Sequence, residues 1–416
     1  MTRSWLAFLA CAALAGANSA HAEWLRSWSA APEPPSAARG PFPATPGFHG
    51  QTVREVVRIS AGGRAVRLRL SNEYGLQPLH IGAVRIGVAE PGGAVRPGSD
   101  RVVTFAGRRD ALIAPGAPLL SDPVEMDVPA LSSLAVSLYL PDDTGPCTCH
   151  GTSMQTLYVG DGDLTGAPAI PAPPAAGPGP RFAGPRAFLT GVEVDAPGRA
   201  ATLVAFGDSI TDGVGSTMDA NRRWPDVLAE RLAARGGAAW GVANQGISGN
   251  RVLHDGFAQS ALARFDRDVL AVPAARVVVV FEGVNDLGRS VALTGPLASV
   301  FGPPDPITAE DLIAGYRQLI VRAHARGLKI IGATIAPYKG AATWSPQGEA
   351  MRAAVNEWIR RGGGFDGVID FDAVLRDPAD PMQMRADYQA GDHLHGSDAG
   401  YRAMAESIDL GLFEPR

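Results

Sequence analysis

Two short segments, far apart in the chain, hold the side chains most able to do chemistry together. Gly207-Asp208-Ser209-Ile210-Thr211-Asp212-Gly213 sets a serine two residues past an apolar run, between glycines. Asp392-His393-Leu394-His395-Gly396 sets a carboxylate and an imidazole three apart on one tight turn. A serine hydroxyl is a weak nucleophile until an imidazole takes its proton, and that imidazole works best when a carboxylate orients it. Ser209, His395 and Asp392 supply those three groups. Attack on an acyl carbonyl creates an oxyanion that needs N–H donors already in place. The candidates are the N–H of Ser209, near the start of the following helix; the N–H of Gly246, in Asn244-Gln245-Gly246-Ile247-Ser248-Gly249-Asn250-Arg251; and the side-chain amide of Asn285, in Glu282-Gly283-Val284-Asn285-Asp286. Acyl transfer of this kind requires neither a metal nor an organic cofactor.

Each of these residues has a plainer reading. Alone, the Ser209 segment reads equally well as a turn in which Asp208 and Ser209 cap the backbone. His393, adjacent to Asp392, is too close in sequence to fold back readily onto that carboxylate and is expected to be structural. His324 falls in a helical pattern, and His254, just after the glycine segment, is a candidate cleft residue. Ser248 reads as a loop-stabilising hydroxyl, Asp208 and Asp286 as loop braces, and Asp372 as an acid with nothing nearby to serve. Arg251 could meet an anionic substrate, but a salt bridge is the default expectation. Two nucleotide motifs fail: Met218 stands where a dinucleotide fingerprint needs its third glycine, and no Gly-Lys-Ser/Thr ends a phosphate loop. The nearest approach to a G-x-S-x-G elbow, Gly246-Ile247-Ser248-Gly249-Asn250, fails at Asn250. Cys147 and Cys149 either pair as a small ring or stay free, and with His150 they lack the second ligand pair of a structural zinc site.

The elements that must position these residues fall into two groups. Residues 23–197 read as an N-terminal β-sandwich-like domain. The runs 53–59 and 65–70 alternate apolar and charged residues, and Ala61-Gly62-Gly63 between them suggests a hairpin. Further strands are expected at 81–88, 101–105, 134–140, 156–159 and 187–194, with a Pro/Ala/Gly-rich loop at 166–185. From 198 to 416 the rhythm changes. Strands at 202–206, 240–243, 277–281, 329–335 and 367–371 alternate with helices at 224–235, 257–269, 308–326, 348–361 and 397–410. That alternation predicts a parallel sheet with helices on both faces, whose site lies at the carboxyl ends of the strands.

Four segments in order, GDS, NQGISGN, GVND and DHLH, resemble the blocks of the SGNH hydrolases, or GDSL esterases and lipases. The four family letters correspond to Ser209, Gly246, Asn285 and His395. The resemblance implies a flavodoxin-like, doubly wound α/β sheet of order 2-1-3-4-5. It also implies the Ser209–His395–Asp392 triad and the oxyanion donors Ser209, Gly246 and Asn285. Gly396 departs from the proline that often follows the family's Asp-x-x-His. The N-terminal region, through Trp24, Trp28, Ser29 and Arg69-Leu70-Ser71-Asn72, is similar to the β-domain preceding this domain in exported bacterial esterases.

Composition agrees. The 416 residues are 46% apolar and 19% charged, enough for a sizeable core. A net charge of −5 without a basic block argues against nucleic acid as partner. Residues 1–22 read as a signal peptide: Arg3, an apolar stretch, then Ala20-His21-Ala22. Export to periplasm or medium follows, and no later run is long enough for a transmembrane segment. The expected activity is hydrolysis of short acyl, mainly acetyl, esters on a small molecule or polysaccharide. The alternatives are a lipase or lysophospholipase, and a non-catalytic glycan-binding protein on an esterase scaffold.

Overall fold

The computed structural model describes residues 23–40, 42–172, 184–196, 200–294 and 296–414. The expected leader, part of the Pro/Ala/Gly-rich stretch and the expected boundary near 197 fall outside them.

The N-terminal region is all-β. Its principal strands are β1 (Glu23–Ser29), β2 (Gln51–Arg58), β3 (Gly63–Ser71), β4 (Ala83–Glu90), β5 (Val124–Val128), β6 (Ser133–Leu140), β7 (Cys149–His150), β8 (Leu157–Asp161) and β9 (Leu189–Ala196). One sheet runs β1-β9-β3-β5 and a second runs β8-β2-β6-β4. Leu25, Leu68, Val192 and Val194 of the first meet Val53, Val57, Val136 and Leu138 of the second in one apolar core. The expected hairpin between β2 and β3 does not form. Ile59 N–H donates to Ser132 O and Ser60 N–H to Ser27 O, so the chain crosses from one sheet to the other. The alternation of both strands is real, but it serves two facing sheets, a choice local sequence does not encode. Charged positions are buried as well. Arg54 donates to Ser137 Oγ and Ala167 O, and Glu55 accepts from Ala187 N–H.

The C-terminal region supplies β10 (Ala200–Gly207), β11 (Ala239–Gly246), β12 (Ala275–Phe281), β13 (Lys329–Ala333) and β14 (Gly367–Ile369), all parallel, in the order β11-β10-β12-β13-β14. This is the 2-1-3-4-5 order of a flavodoxin-like sheet. β10 is buried along its whole length, as a central parallel strand must be. Among the helices are α1 (Ser209–Asp212), α2 (Trp224–Arg235), α3 (Ala261–Phe265), α4 (Val284–Arg289), α5 (Ala309–Ala325), α6 (Pro346–Arg360) and α7 (Asp398–Ser407). The helix expected from 257 begins only at Ala261, because Ser260 caps it by accepting from Ala263 N–H. The weak strand at 240–243 is a full strand, long enough to carry Gly246 to its end. Gly207 lies level with Gly246 on one side and Phe281 on the other, so the three segments that follow open at the same edge.

The two regions are joined along β1. Arg26 N–H donates to Thr202 Oγ1, Ser29 Oγ to Asn244 O, and Val242 N–H to Ser60 Oγ. No helix among the described residues is long and apolar enough to cross a membrane.

Candidate active site

Ser209 is the first residue of α1, a single turn opened by Asp208, whose carboxylate accepts Ile210 N–H at 2.9 Å, and closed by Gly213 in the left-handed region. Its own N–H therefore precedes any carbonyl partner within the helix. Ser209 Oγ lies 2.8 Å from His395 Nε2, and His395 Nδ1 lies 2.5 Å from Asp392 Oδ2. The second carboxylate oxygen of Asp392 accepts Leu394 N–H at 3.0 Å and His395 N–H at 2.9 Å. Partial burial works against ionisation of Asp392, yet the hydrogen bonds and charge from His395 outweigh it and hold the carboxyl well below the usual range. A carboxylate so fixed sets the imidazole tautomer with Nε2 free to accept the serine proton.

The loop bearing His395 is pressed onto the turn after α1. Gly215 has φ +90°, and a Cβ there would lie 2.7 Å from both Ala390 Cβ and Gly396 O. Tyr401 Oη donates to Val214 O at 2.5 Å, and Thr217 N–H to Asp398 Oδ1 at 2.8 Å. These clamps bring together segments almost half the chain apart.

Of the three expected oxyanion donors, Asn285 spends one amide hydrogen on Asn250 O at 2.9 Å. Gly246 N–H donates to Asn244 Oδ1 at 2.9 Å, so it is engaged within its own loop. Gly246 nevertheless touches the serine turn directly, because a Cβ on it would lie 2.3 Å from Asp212 N. Asp286, at the same strand edge, accepts Val252 and Leu253 N–H and braces the loop after Gly246.

Beneath these loops lies Arg264, fully buried on α3. Its guanidinium donates to Gly207 O at 2.9 Å, Gln245 O at 2.8 Å and Asn250 Oδ1 at 2.9 Å, and it pairs with Asp268 and Glu282. It ties the ends of β10 and β11 to the glycine loop. Burial pushes Asp208 up to about 7 and Asp286 up to about 6, and raises Glu282 as well. Nothing in the local sequence distinguishes Arg264 from a surface arginine; only its apolar helical neighbours hint at burial.

The competing residues are placed elsewhere. His393 packs its ring against Gly340 and donates its N–H to Gln389 Oε1. His324 meets Asp366 at 3.0 Å on the exposed face of α5, and His254 is exposed. Asp372 is paired with Arg352, Arg360 and Arg376, and Arg251 with Asp305. Ser248 Oγ donates to Asp212 Oδ2 at 2.9 Å. Cys147 and Cys149 form a disulfide, and both ring nitrogens of His150 face oxygen atoms, so the trio is not a metal ligand set.

Residues 205–403 match the model of the GDSL-like Lipase/Acylhydrolase family. These residues form a GDSL-like lipase/acylhydrolase domain. Over that stretch the chain thus carries an SGNH-type acylhydrolase domain. No curated protein matches it in a sequence comparison. Among solved structures, half of the chain is similar to a member of the lipolytic protein G-D-S-L family from Veillonella parvula DSM 2008 (18% identity, TM-score 0.37, covering 50% of this chain and 95% of that one). It also resembles a carbohydrate acetylesterase family member from Sinorhizobium meliloti (20%, TM-score 0.36, 50% and 94%). A third is a mutant of Axe2, an acetyl-xylooligosaccharide esterase from Geobacillus Stearmophilus (23%, TM-score 0.38, 50% and 93%).

Proposed function

We propose that the chain hydrolyses short acyl esters, chiefly acetyl groups on carbohydrate, with Ser209 as nucleophile, His395 as general base and acid, and Asp392 as the carboxylate that orients it. The observation that carries this reading is the unbroken relay from Ser209 Oγ through His395 to Asp392 at 2.8 and 2.5 Å. Ser209 Oγ forms a bond to the acyl carbon while its proton passes to His395 Nε2. Ser209 N–H, the Asn285 amide and Gly246 N–H, the last released from Asn244, hold the resulting oxyanion. The alkoxide leaves with the proton from His395. Water then adds to the acyl-enzyme by the same route and releases the acid. Export, read from residues 1–22, belongs to the same proposal.

The preference for a small acyl group on a bulky alcohol rests on the openness of the site. The Asp392 side chain is 49% exposed, which puts the triad at a rim. Two cavities among the described residues lie on the seam between the regions; one reaches Asp212 and Gly246, and neither is lined by Ser209 or His395. The test is a panel of 4-nitrophenyl esters from acetate to palmitate, with acetylated oligosaccharides, on the wild type and Ser209→Ala. The wild type should favour acetate and release acetate from the glycans, and the variant should lose activity by several orders of magnitude. Equal turnover by both proteins would end the hydrolase assignment, and turnover that rises with acyl length would move it to lipid esters.

A further inference from the structure

His150 comes from the N-terminal β-region, yet its ring reaches under the serine turn. Nδ1 lies 2.9 Å from Ala31 O, and Nε2 lies 3.0 Å from Asp212 Oδ1. A carbonyl and a carboxylate only accept, and a neutral imidazole has one N–H to give. Both contacts are hydrogen bonds only if the ring carries two protons. The surroundings agree. Glu33 Oε1 is 3.3 Å from Nδ1, and the ring is buried between it and Asp212. Burial alone would lower the imidazole's affinity for its proton, but Asp212 and then Glu33 outweigh it and push the group up to about 9. Glu55 stands behind the ring, with Arg186 paired to it, while Arg223 donates to the Asp212 carbonyl oxygen.

Asp212 is where this charge acts on the site. It ends α1, one turn after Ser209, and its second carboxylate oxygen accepts Ser248 Oγ–H from the loop that begins at Gly246. Its backbone N is the atom a Cβ on Gly246 would strike. One carboxylate thus joins the nucleophile's turn, the glycine loop and the β-region. His150 is in turn held by β7: Cys149 next to it is in the disulfide, Glu33 N–H donates to Cys149 O at 2.7 Å, and Gly151 N–H donates to Glu33 Oε1 at 2.8 Å.

We propose that His150 is a positioning residue for ester hydrolysis: as an imidazolium at neutral pH supplied by the β-region, it holds Asp212 and so fixes the spacing between the Ser209 turn and the Gly246 loop. The N-terminal region is then a working part of the active site and not merely a cover. This proposal rests on Ser209 being the nucleophile.

The test is steady-state kinetics of His150→Gln on 4-nitrophenyl acetate across pH 6–10, beside wild type and Ser209→Ala. A misplaced oxyanion donor should cost about 10- to 100-fold in kcat, with KM changed less than about twofold. The wild type should lose kcat as pH rises through about 9, and His150→Gln should lack that limb. Ser248→Ala cuts the far end of the same link at a half-buried position and should lower kcat about 3- to 10-fold, which keeps the test available if the ring's loss prevents folding. Nitrogen NMR of the wild type should show both ring nitrogens of His150 protonated at pH 7. A neutral ring, or folded His150→Gln and Ser248→Ala proteins with wild-type kcat and pH profile, would overturn the proposal. Activity surviving in Ser209→Ala would instead overturn the nucleophile reading on which it stands.

Discussion

Replacing Gly246 by alanine probes the closest approach in the site. The added Cβ would lie 2.3 Å from Asp212 N and 2.8 Å from Asp212 Cα and Thr211 C. Non-bonded carbon needs roughly 3.5 Å, so the two loops must separate by about 1 Å. All three atoms struck are backbone, and α1 is held at both ends by Asp208 and Gly213, so no flexible side chain can absorb the strain. Overpacking of this kind costs about 1–3 kcal/mol of stability. The catalytic cost should be larger, because a shift of about 1 Å between oxyanion donors and nucleophile loses roughly 100-fold, and loss of a donor up to about 1000-fold. Gly246→Ala should therefore fold, unfold at a modestly lower urea concentration, and show kcat on 4-nitrophenyl acetate reduced about 100- to 1000-fold. A folded variant with kcat within about threefold of wild type would refute the reasoning, since the loops would then have no need to stay in backbone contact.

Asp392→Asn should lower kcat by about 10⁴ while leaving the fold intact, because an amide beside Nδ1 favours the tautomer with the proton on Nε2; a loss under tenfold in steady-state assays would remove Asp392 from the relay. Arg264→Met should cost about 3–5 kcal/mol in urea unfolding, since Asp268 and Glu282 would be left buried without their cation; a cost below about 1 kcal/mol would show that Arg264 is not the brace described. Stability should fall as pH rises from 5 to 9. Burial raises Glu55 and Asp208 to about 7 and Asp286 to about 6; burial works the other way on His150, but Asp212 and Glu33 outweigh it and raise the ring to about 9. In that window the native chain therefore holds more protons than the unfolded chain, and the His150 contribution, complete below its unfolded value, is lost through about 9. Urea midpoints that rise from pH 5.5 to 8.5 would contradict this sign.

The candidate site was legible in the sequence because it depends on residue type next to strand ends. Ser209, Asn285 and the Asp392–His395 pair each follow an apolar run or occupy a turn, and the four blocks occur in order. The alternation of strands and helices after residue 198 likewise implied a parallel sheet, since only crossover connections join parallel neighbours. What sequence could not determine was which partner each local pattern would meet. β2 and β3 alternate as a hairpin would, yet they belong to opposite sheets, because period-2 patterning states that a face is buried and not against what. Arg264 and Asp212 look like ordinary charged residues until the ends of β10 and β11 close around them. His150 stands beside two cysteines in a pattern that lacks the second ligand pair of a zinc site; its partners, Ala31 and Asp212, lie far away in the chain. Residue type and local spacing determine what a side chain can do. Burial and long-range contact, which exist only in the folded chain, decide which protons it holds and which loop it braces.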